Sequence, residues 1–586
     1  MVQRAISNIR NALVAQQTEI MSVAAMLMGI SIITKVFGLI YNAIAAGYLG
    51  LKPYSLFTFA SNIPELITQI VLLGSISASV LPILSTILQK KGKERFLRVF
   101  NTLVNISLIS YLFVTIFIII FAPFIVNGLI AIIKPQTPLS ASDISEITNM
   151  LRLLTVPQVI LGISVYLTTV LNLFERFLAP QLAPLFYNVG RITAVFLLIP
   201  ILGKSPWVLV WGTLIGSVCH LFIQLIVVGH IGVFYKPIID IRDRFVRKVG
   251  VTALPRILSL SVDQIANTID EFIAFGLIGN SLAIYNLGVT LISVPLSVIG
   301  SSFATASFPT LAKAFVNNDR IVASQIFIKI INQILFFSII SSILLLVLRV
   351  PYARLAVGIF GKEIKFQETY TIAWVVLFFA PGIAFESLRG LLYRTFFAAH
   401  DTIRPLFSSV IVLIAGGITG LLFTNYLSHF NQLSLSSIYF DFSFFFTRAK
   451  GIDGVGGLAL SSTLVFTIEA ILLIYWLNRK YLQATAAEYF LPITKKLLAG
   501  TITLICTYLI YKIWASLEMT EHTVYLIILT FTTSASALMI YLGFCGLFRV
   551  DEVKVYLKFL SKHPNKGSLM SLLKRYKAFN PIPEKI

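Results

Sequence analysis

Charge is what this 586-residue chain has least of. Asp, Glu, Lys and Arg together make up 12% of it, about half the share of a soluble domain, which excludes an ordinary water-surrounded globule. Acid is the scarcer sign, with 25 Asp and Glu against 46 Lys and Arg. Cysteine is nearly absent: Cys219, Cys506 and Cys545 stand far apart in apolar runs, so neither a metal spacing nor a disulfide framework can be read from them. There is no Ser/His/Asp set, phosphate-cradling glycine loop or soluble-site carboxylate pair, and so no case for catalysis, ATP hydrolysis or a cofactor. The polar N-terminus, "MVQRAISNIRNALVAQQTEIMS", lacks a cleavable signal pattern. The first apolar helix is expected to act as the insertion signal and to stay in the protein.

What is there is oil. Hydrophobic residues make up 57% of the chain and mean hydropathy is +0.88, the composition of an all-α polytopic membrane protein. A net charge of +21 on a soluble protein would suggest nucleic acid. Here the basic residues fall mainly in short connections between apolar runs. That fits membrane topology and anionic lipid headgroups, and no nucleic-acid partner is expected.

Apolar runs of helical length fall at 22–50, 56–88, 99–133, 146–174, 181–202, 206–234, 249–278, 282–312, 323–349, 369–398, 404–426, 455–478, 492–514 and 522–548, about fourteen transmembrane helices. Internal Pro64, Pro157, Pro255 and Pro295 fit kinks whose freed backbone groups neighbouring helices satisfy. With the N-terminus inside, "QKKGKERFLR" (89–98), "KPIIDIRDRFVRK" (236–248), "NRK" (478–480) and the basic tail all fall on the inner side. The outer connections hold far fewer Lys and Arg, as the positive-inside rule requires. An even span count puts the tail inside as well, so both termini are expected in the cytoplasm. The tail after Phe548 reads either as an amphipathic segment on the inner leaflet or as a solvated coil. The aromatic connection 427–453 is expected outside. "SVLPILSTI" (79–87) is echoed by "ASFPTLAKA" (306–314), suggesting two related bundles with one orientation.

A charge at mid-membrane costs at least about 2.5–3.5 kcal/mol and persists where it finds a partner or water. In "SIITKVFGLIYNAIAAGYLG" (31–50), Lys35, Gly38 and Asn42 share one helical face. Glu65, Thr68 and Gln69 do the same after Pro64. In the seventh span, Arg256, Asp263, Asn267 and Asp270 form one stripe at +7, +11 and +14 from Arg256. Such stripes line a water-filled cavity or serve as ion pairs between helices. Lys35 with Glu65 or Asp263 is the pairing that the second reading predicts. Arg389 and Arg394 are expected to snorkel to the inner surface, His400 and Asp401 to cap a tight inner turn, and Glu469 to stand as a lone acid.

Several patterns in order resemble the MurJ/MviN family of lipid II flippases, within the multidrug/oligosaccharidyl-lipid/polysaccharide exporter superfamily. They are "TKVFGLIYNAIAAGYLG", "SNIPELITQIVLLGSISASVLPILS", "LRLLTVPQVILGISVYLTTVLNLFERFLAPQLAPLFYN", "ALPRILSLSVDQI", "SVPLSVIGSSFATASFPTLAKAF", "YRTFFAAHDTIRP" and "GVGGLALSST", together covering roughly residues 22–480. The resemblance implies two six-helix lobes around a central cavity, 22–234 and 249–478, joined by a basic cytoplasmic linker at 235–248. A cytoplasmic segment, 1–21, would precede them. Two C-terminal helices within 492–548 would form a groove for a polyprenyl tail, and 549–586 would be a basic cytoplasmic tail.

By resemblance the cargo is an undecaprenyl-pyrophosphate-linked peptidoglycan precursor, carried from inner to outer leaflet of the bacterial plasma membrane. Cell-wall synthesis proteins would be further partners. The chain departs from the family in its cavity: Tyr41 and Asn42 replace a basic and acidic pair, Thr68 and Gln69 an arginine pair, Leu73 an acid, and Thr290 an arginine. The candidate substrate-binding residues are Lys35, Asn42, Glu65, Gln69, Arg256, Asp263 and Asn267. Three functions remain open: a lipid II flippase, an exporter of another polyprenyl-linked saccharide or lipid, and a transport-inactive scaffold.

Overall fold

The computed structural model describes residues 20–70, 80–231, 235–317, 319–359, 363–429, 451–516 and 523–553; within these, the side chains of 20–25, 27–28, 80–83, 89, 248, 250–260 and 309 also lie outside the description. Most of the connection 427–453 and of the basic tail therefore falls outside it, as does the N-terminal segment.

The described backbone is helical throughout its long elements. In chain order these are α1 (Ile20–Leu49), α2 (Leu51–Thr68), α3 (Val80–Ile133), α4 (Ala141–Leu173), α5 (Leu178–Leu202), α6 (Trp207–Ile231) and α7 (Arg244–Gly276). Then come α8 (Ser281–Val316), α9 (Arg320–Val347), α10 (Phe366–Ala398), α11 (Ile403–Leu427), α12 (Ile452–Lys480), α13 (Ala486–Ala515) and α14 (Thr523–Leu547). Twelve described segments are long and apolar enough to cross a membrane. Neither α2 nor α7 is among them, because α2 carries Ser61, Asn62, Glu65 and Thr68 and α7 carries its polar stripe.

These two polar helices face each other across the middle of the molecule. There α1 and α2 pack on α8, and α2 and α3 pack on α7. The pair α13–α14 is attached by its own contacts to α9. Gly92 bends α3 with φ +81, a left-handed conformation open to glycine at no steric cost. In both halves a proline is followed by a π turn, at 69–70 after Pro64 and at Ser297–Ser301 after Pro295. Proline removes a backbone donor and loosens the helix there.

Three apolar cores show how the halves meet. One spans both, joining Tyr41, Leu49, Phe57 and Phe59 to Phe275, Leu282, Ile284, Ala353 and Val376. It gathers the helix ends at the expected outer side, and Phe59 stacks on Phe275 with centroids 3.9 Å apart. Toward the other side the core divides. One part holds Phe96, Phe100, Tyr166 and Val227, and the other holds Phe327, Ile334, Phe396 and Tyr541. Polar contacts repeat the asymmetry. At the expected outer side Lys204 pairs with Glu363, Glu363 N donates to Gly47 O at 3.3 Å, and Gln136 N donates to Gly276 O at 3.1 Å. Gly279 N donates to Thr137 Oγ1 at 2.7 Å. Among the described residues the molecule is sealed at that end and divided at the other.

Candidate functional site

The larger cavity, about 400 Å³, lies between α1, α5 and α8. Ser31, Lys35, Gly38 and Asn42 line it from α1, Gln181 and Asn188 from α5, and Thr290 and Ser293 from α8. Asn42 Nδ2 donates to Thr290 Oγ1 at 3.0 Å, across the two halves. Gln181 Nε2 donates to Ser31 Oγ at 2.6 Å and Asn188 Nδ2 to Thr34 O at 3.3 Å. Lys35 is exposed, and no carboxylate among the described residues forms an ion pair with it. The expected pairing of Lys35 with Glu65 or Asp263 is therefore absent: its ammonium faces the cavity.

The seventh-helix residues lie elsewhere. Asp263 and Asn267 line a second cavity of about 40 Å³ with Asp270, Arg389, Ser462 and Phe466. A water needs about 10–15 Å³ by this kind of measure, so that space suits a few waters and not a sugar. Arg389 organises it. Its Nη2 meets Asp263 Oδ1 at 3.1 Å and its Nε meets Glu469 Oε2 at 2.6 Å. Tyr393 Oη donates to Glu469 Oε1 at 2.6 Å, and Phe466 lies under the guanidinium at 4.4 Å. Arg389 thus turns inward instead of snorkelling, because two carboxylates neutralise it, and Glu469 is not a lone acid. Arg394 donates to Thr305 Oγ1 at 2.5 Å.

The structure so divides the seven candidates. Lys35 and Asn42 share the large cavity, and Asp263 and Asn267 share the small one. Glu65 is exposed on α2, and Gln69 is half-buried at the π turn; neither lines the large cavity. The Arg256 side chain lies outside the described residues. Asp401 does cap the inner turn, accepting from the backbone N–H groups of Ile403 and Arg404 at 3.2 and 3.3 Å.

One residue went unnoticed in the sequence. Arg191 of α5 lays its guanidinium over the ring of Tyr41 at 3.5 Å, with the Tyr187 ring at 4.9 Å. Its stem lies against Gly216 of α6, where a Cβ would come within 2.8 Å of Arg191 Cγ. Glycine at 216 is what lets α5 and α6 close enough to aim this side chain at α1. Arg191 sits in the middle of the run 181–202, the same signal that singled out Lys35.

The chain has counterparts among known proteins. A family model described as "Lipid II flippase MurJ" matches residues 45–450. The chain belongs to the MurJ family. A relative from Rhizobium tropici, named "Probable lipid II flippase MurJ", is 25% identical over 67% of this chain and 74% of its own. One of the same name from Borreliella burgdorferi is 22% identical over 82% of this chain and 86% of its own. Among solved structures, "Lipid II flippase MurJ, inward closed conformation" matches with a TM-score of 0.70 at 17% identity, covering 91% of this chain and 99% of that one. An inward-facing MATE-family multidrug transporter of the MOP superfamily matches with a TM-score of 0.60 at 13% identity, covering 78% and 98%. At those identities the structures establish the fold: this family member is an all-α multi-pass membrane protein with a transporter architecture.

Proposed function

We propose that this MurJ family member is a lipid II flippase, carrying undecaprenyl-pyrophosphate-linked peptidoglycan precursor from the inner to the outer leaflet of the bacterial plasma membrane. The observation that carries the reading is the polar cavity at α1, α5 and α8, with a lysine that no carboxylate among the described residues neutralises. An ammonium attracts a diphosphate, and the more strongly as the cargo displaces water around it. Asn42 and the amides around it offer donors and acceptors to sugar and peptide groups. The protein works as a transporter and not as an enzyme.

The mechanism is alternating access. Lobes 22–234 and 249–478 rock about the shared cavity, with 235–248 as the cytoplasmic linker. Basic connections inside, and both termini cytoplasmic, make the sealed end the outer one. The described state then receives cargo from the cytoplasmic leaflet. The Asp263–Arg389–Glu469 knot ties α7 to α10 and α12 and moves as part of one lobe. The pair α13–α14 supports the polyprenyl tail.

The test is translocation of lipid II in proteoliposomes. Lys35→Ala, still monodisperse in detergent, is expected to lose at least 90% of the wild-type rate; unchanged transport removes Lys35 from the site. A wild-type preference for another polyprenyl-pyrophosphate saccharide would reassign the cargo. Transport of neither lipid by a folded protein would leave the scaffold role.

A further inference from the structure

A guanidinium inside a membrane is expensive unless something balances it. Arg389 is balanced by two carboxylates in contact. Arg191 has no carboxylate in contact among the described residues: it rests on the faces of two tyrosines, 3.5 Å from the Tyr41 ring and 4.9 Å from that of Tyr187. Tyrosine faces compensate a cation only in part. Glu65 lies within reach of the charge but forms no direct ion pair with it.

The position of this cation is informative. On α1, Ser31, Lys35, Gly38 and Tyr41 step along the side that meets α5; on α5, Gln181, Asn188 and Arg191 step along the facing side. Lys35 and Tyr41 are six residues apart, about 9 Å along the axis. Arg191 therefore stands one step beyond the described cavity, past Asn188. Its fork suits a phosphate in a bidentate way that a lysine does not.

We infer that Arg191 is a second cargo-binding cation, acting with Lys35 on the anionic head of the lipid, and that Glu65 is the charge it exchanges for the cargo. This rests on the flippase reading. Cargo enters at Lys35, its phosphates reach Arg191, and Glu65 is released to the wet side of α2.

The experiment measures lipid II translocation against lipid II concentration in proteoliposomes. Arg191→Gln is expected to raise the half-saturating concentration at least 10-fold, and Arg191→Lys to raise it less. Glu65→Gln removes the competitor and is expected to lower it about threefold. The exchange Tyr41→Arg with Arg191→Tyr puts the cation back at the same contact from the other helix. It is expected to recover at least a third of the wild-type rate, an outcome that a purely structural role does not produce. A folded Arg191→Gln protein with unchanged half-saturation overturns the inference and leaves the flippase reading standing. So does a Glu65→Gln protein with unchanged half-saturation, which decides the matter if the exchange variant aggregates. Wild-type protein that moves no lipid II overturns both.

Discussion

Removing the guanidinium of Arg389 is expected to be among the most damaging single changes in the second half of the protein. Glu469 has a side chain 1% exposed and Arg389 one 16% exposed, whereas Asp263 is 32% exposed. Unit charges about 4 Å apart at an effective dielectric near 20 interact by about 4 kcal/mol. Deleting one partner of a buried pair costs about 3–5 kcal/mol, because the other charge is left uncompensated. Arg389→Met strands Glu469, which keeps only the Tyr393 hydroxyl, so the full range applies. Asp263→Asn leaves Arg389 bonded to Glu469, and water in the small cavity hydrates the site. Its cost is about 1 kcal/mol. The double change Arg389→Met with Glu469→Met removes both charges and is expected to cost less than either buried single change, as replacement of a buried pair by apolar groups often does. Thermal unfolding in detergent of the wild type, Arg389→Met, Glu469→Met and the double variant measures the cycle. Additive losses would refute the account, since they would mean that the two side chains do not compensate each other.

The outer seal offers a conformational test. Glu363→Lys places two cations side by side at Lys204. Exposed pairs are worth up to about 1 kcal/mol, so the ratio of sealed to open molecules is expected to fall about fivefold, read as a longer mean distance between spin labels at Ser142 and Gln367. At the inner turn, burial by itself raises the Asp401 pKa, but hydrogen bonds from the Tyr481 hydroxyl and from Arg404 more than offset it, and the carboxyl sits below its usual range. A depressed folded value stabilises the protein above the unfolded carboxylate pKa and is lost as acid protonates the group. Wild-type melting temperature is therefore expected to drop below roughly pH 4, and Asp401→Asn to lower it at neutral pH and flatten that drop; an identical acid profile in the variant would contradict this. Gly457 meets the Phe423 carbonyl carbon and Thr424 N at 2.3 Å once a Cβ is added. Gly457→Ala is expected to cost at least about 1–3 kcal/mol by prising α12 from α11. Gly128→Ala meets nothing within 4 Å and is expected to gain about 1 kcal/mol in a helix interior.

Helix positions were legible because a bilayer demands long apolar stretches and polar punctuation. The run 404–426 became Ile403–Leu427, and 146–174 became Ala141–Leu173. The run 56–88 was blurred because α2 faces another polar helix and not lipid. Lys35 and Asn42 were legible as site residues by the same logic, since polarity in a membrane marks water or a partner. Which partner was not legible. Asp263 meets Arg389 from 126 positions away, and no local spacing encodes that meeting. Arg191 was overlooked although its mid-span position carried the Lys35 signal. The glycine that aims it, Gly216, lies on a different helix.

The fused core at one end and the parted cores at the other also set what an outward opening must overcome. To swing open at the fused end the protein must wet Phe59 and Phe275, each worth about 1.5–3 kcal/mol when covered. That loss has to be matched by apolar surface covered where the cores now part, so the tilt between the two postures is set by oil exchanged from one end to the other.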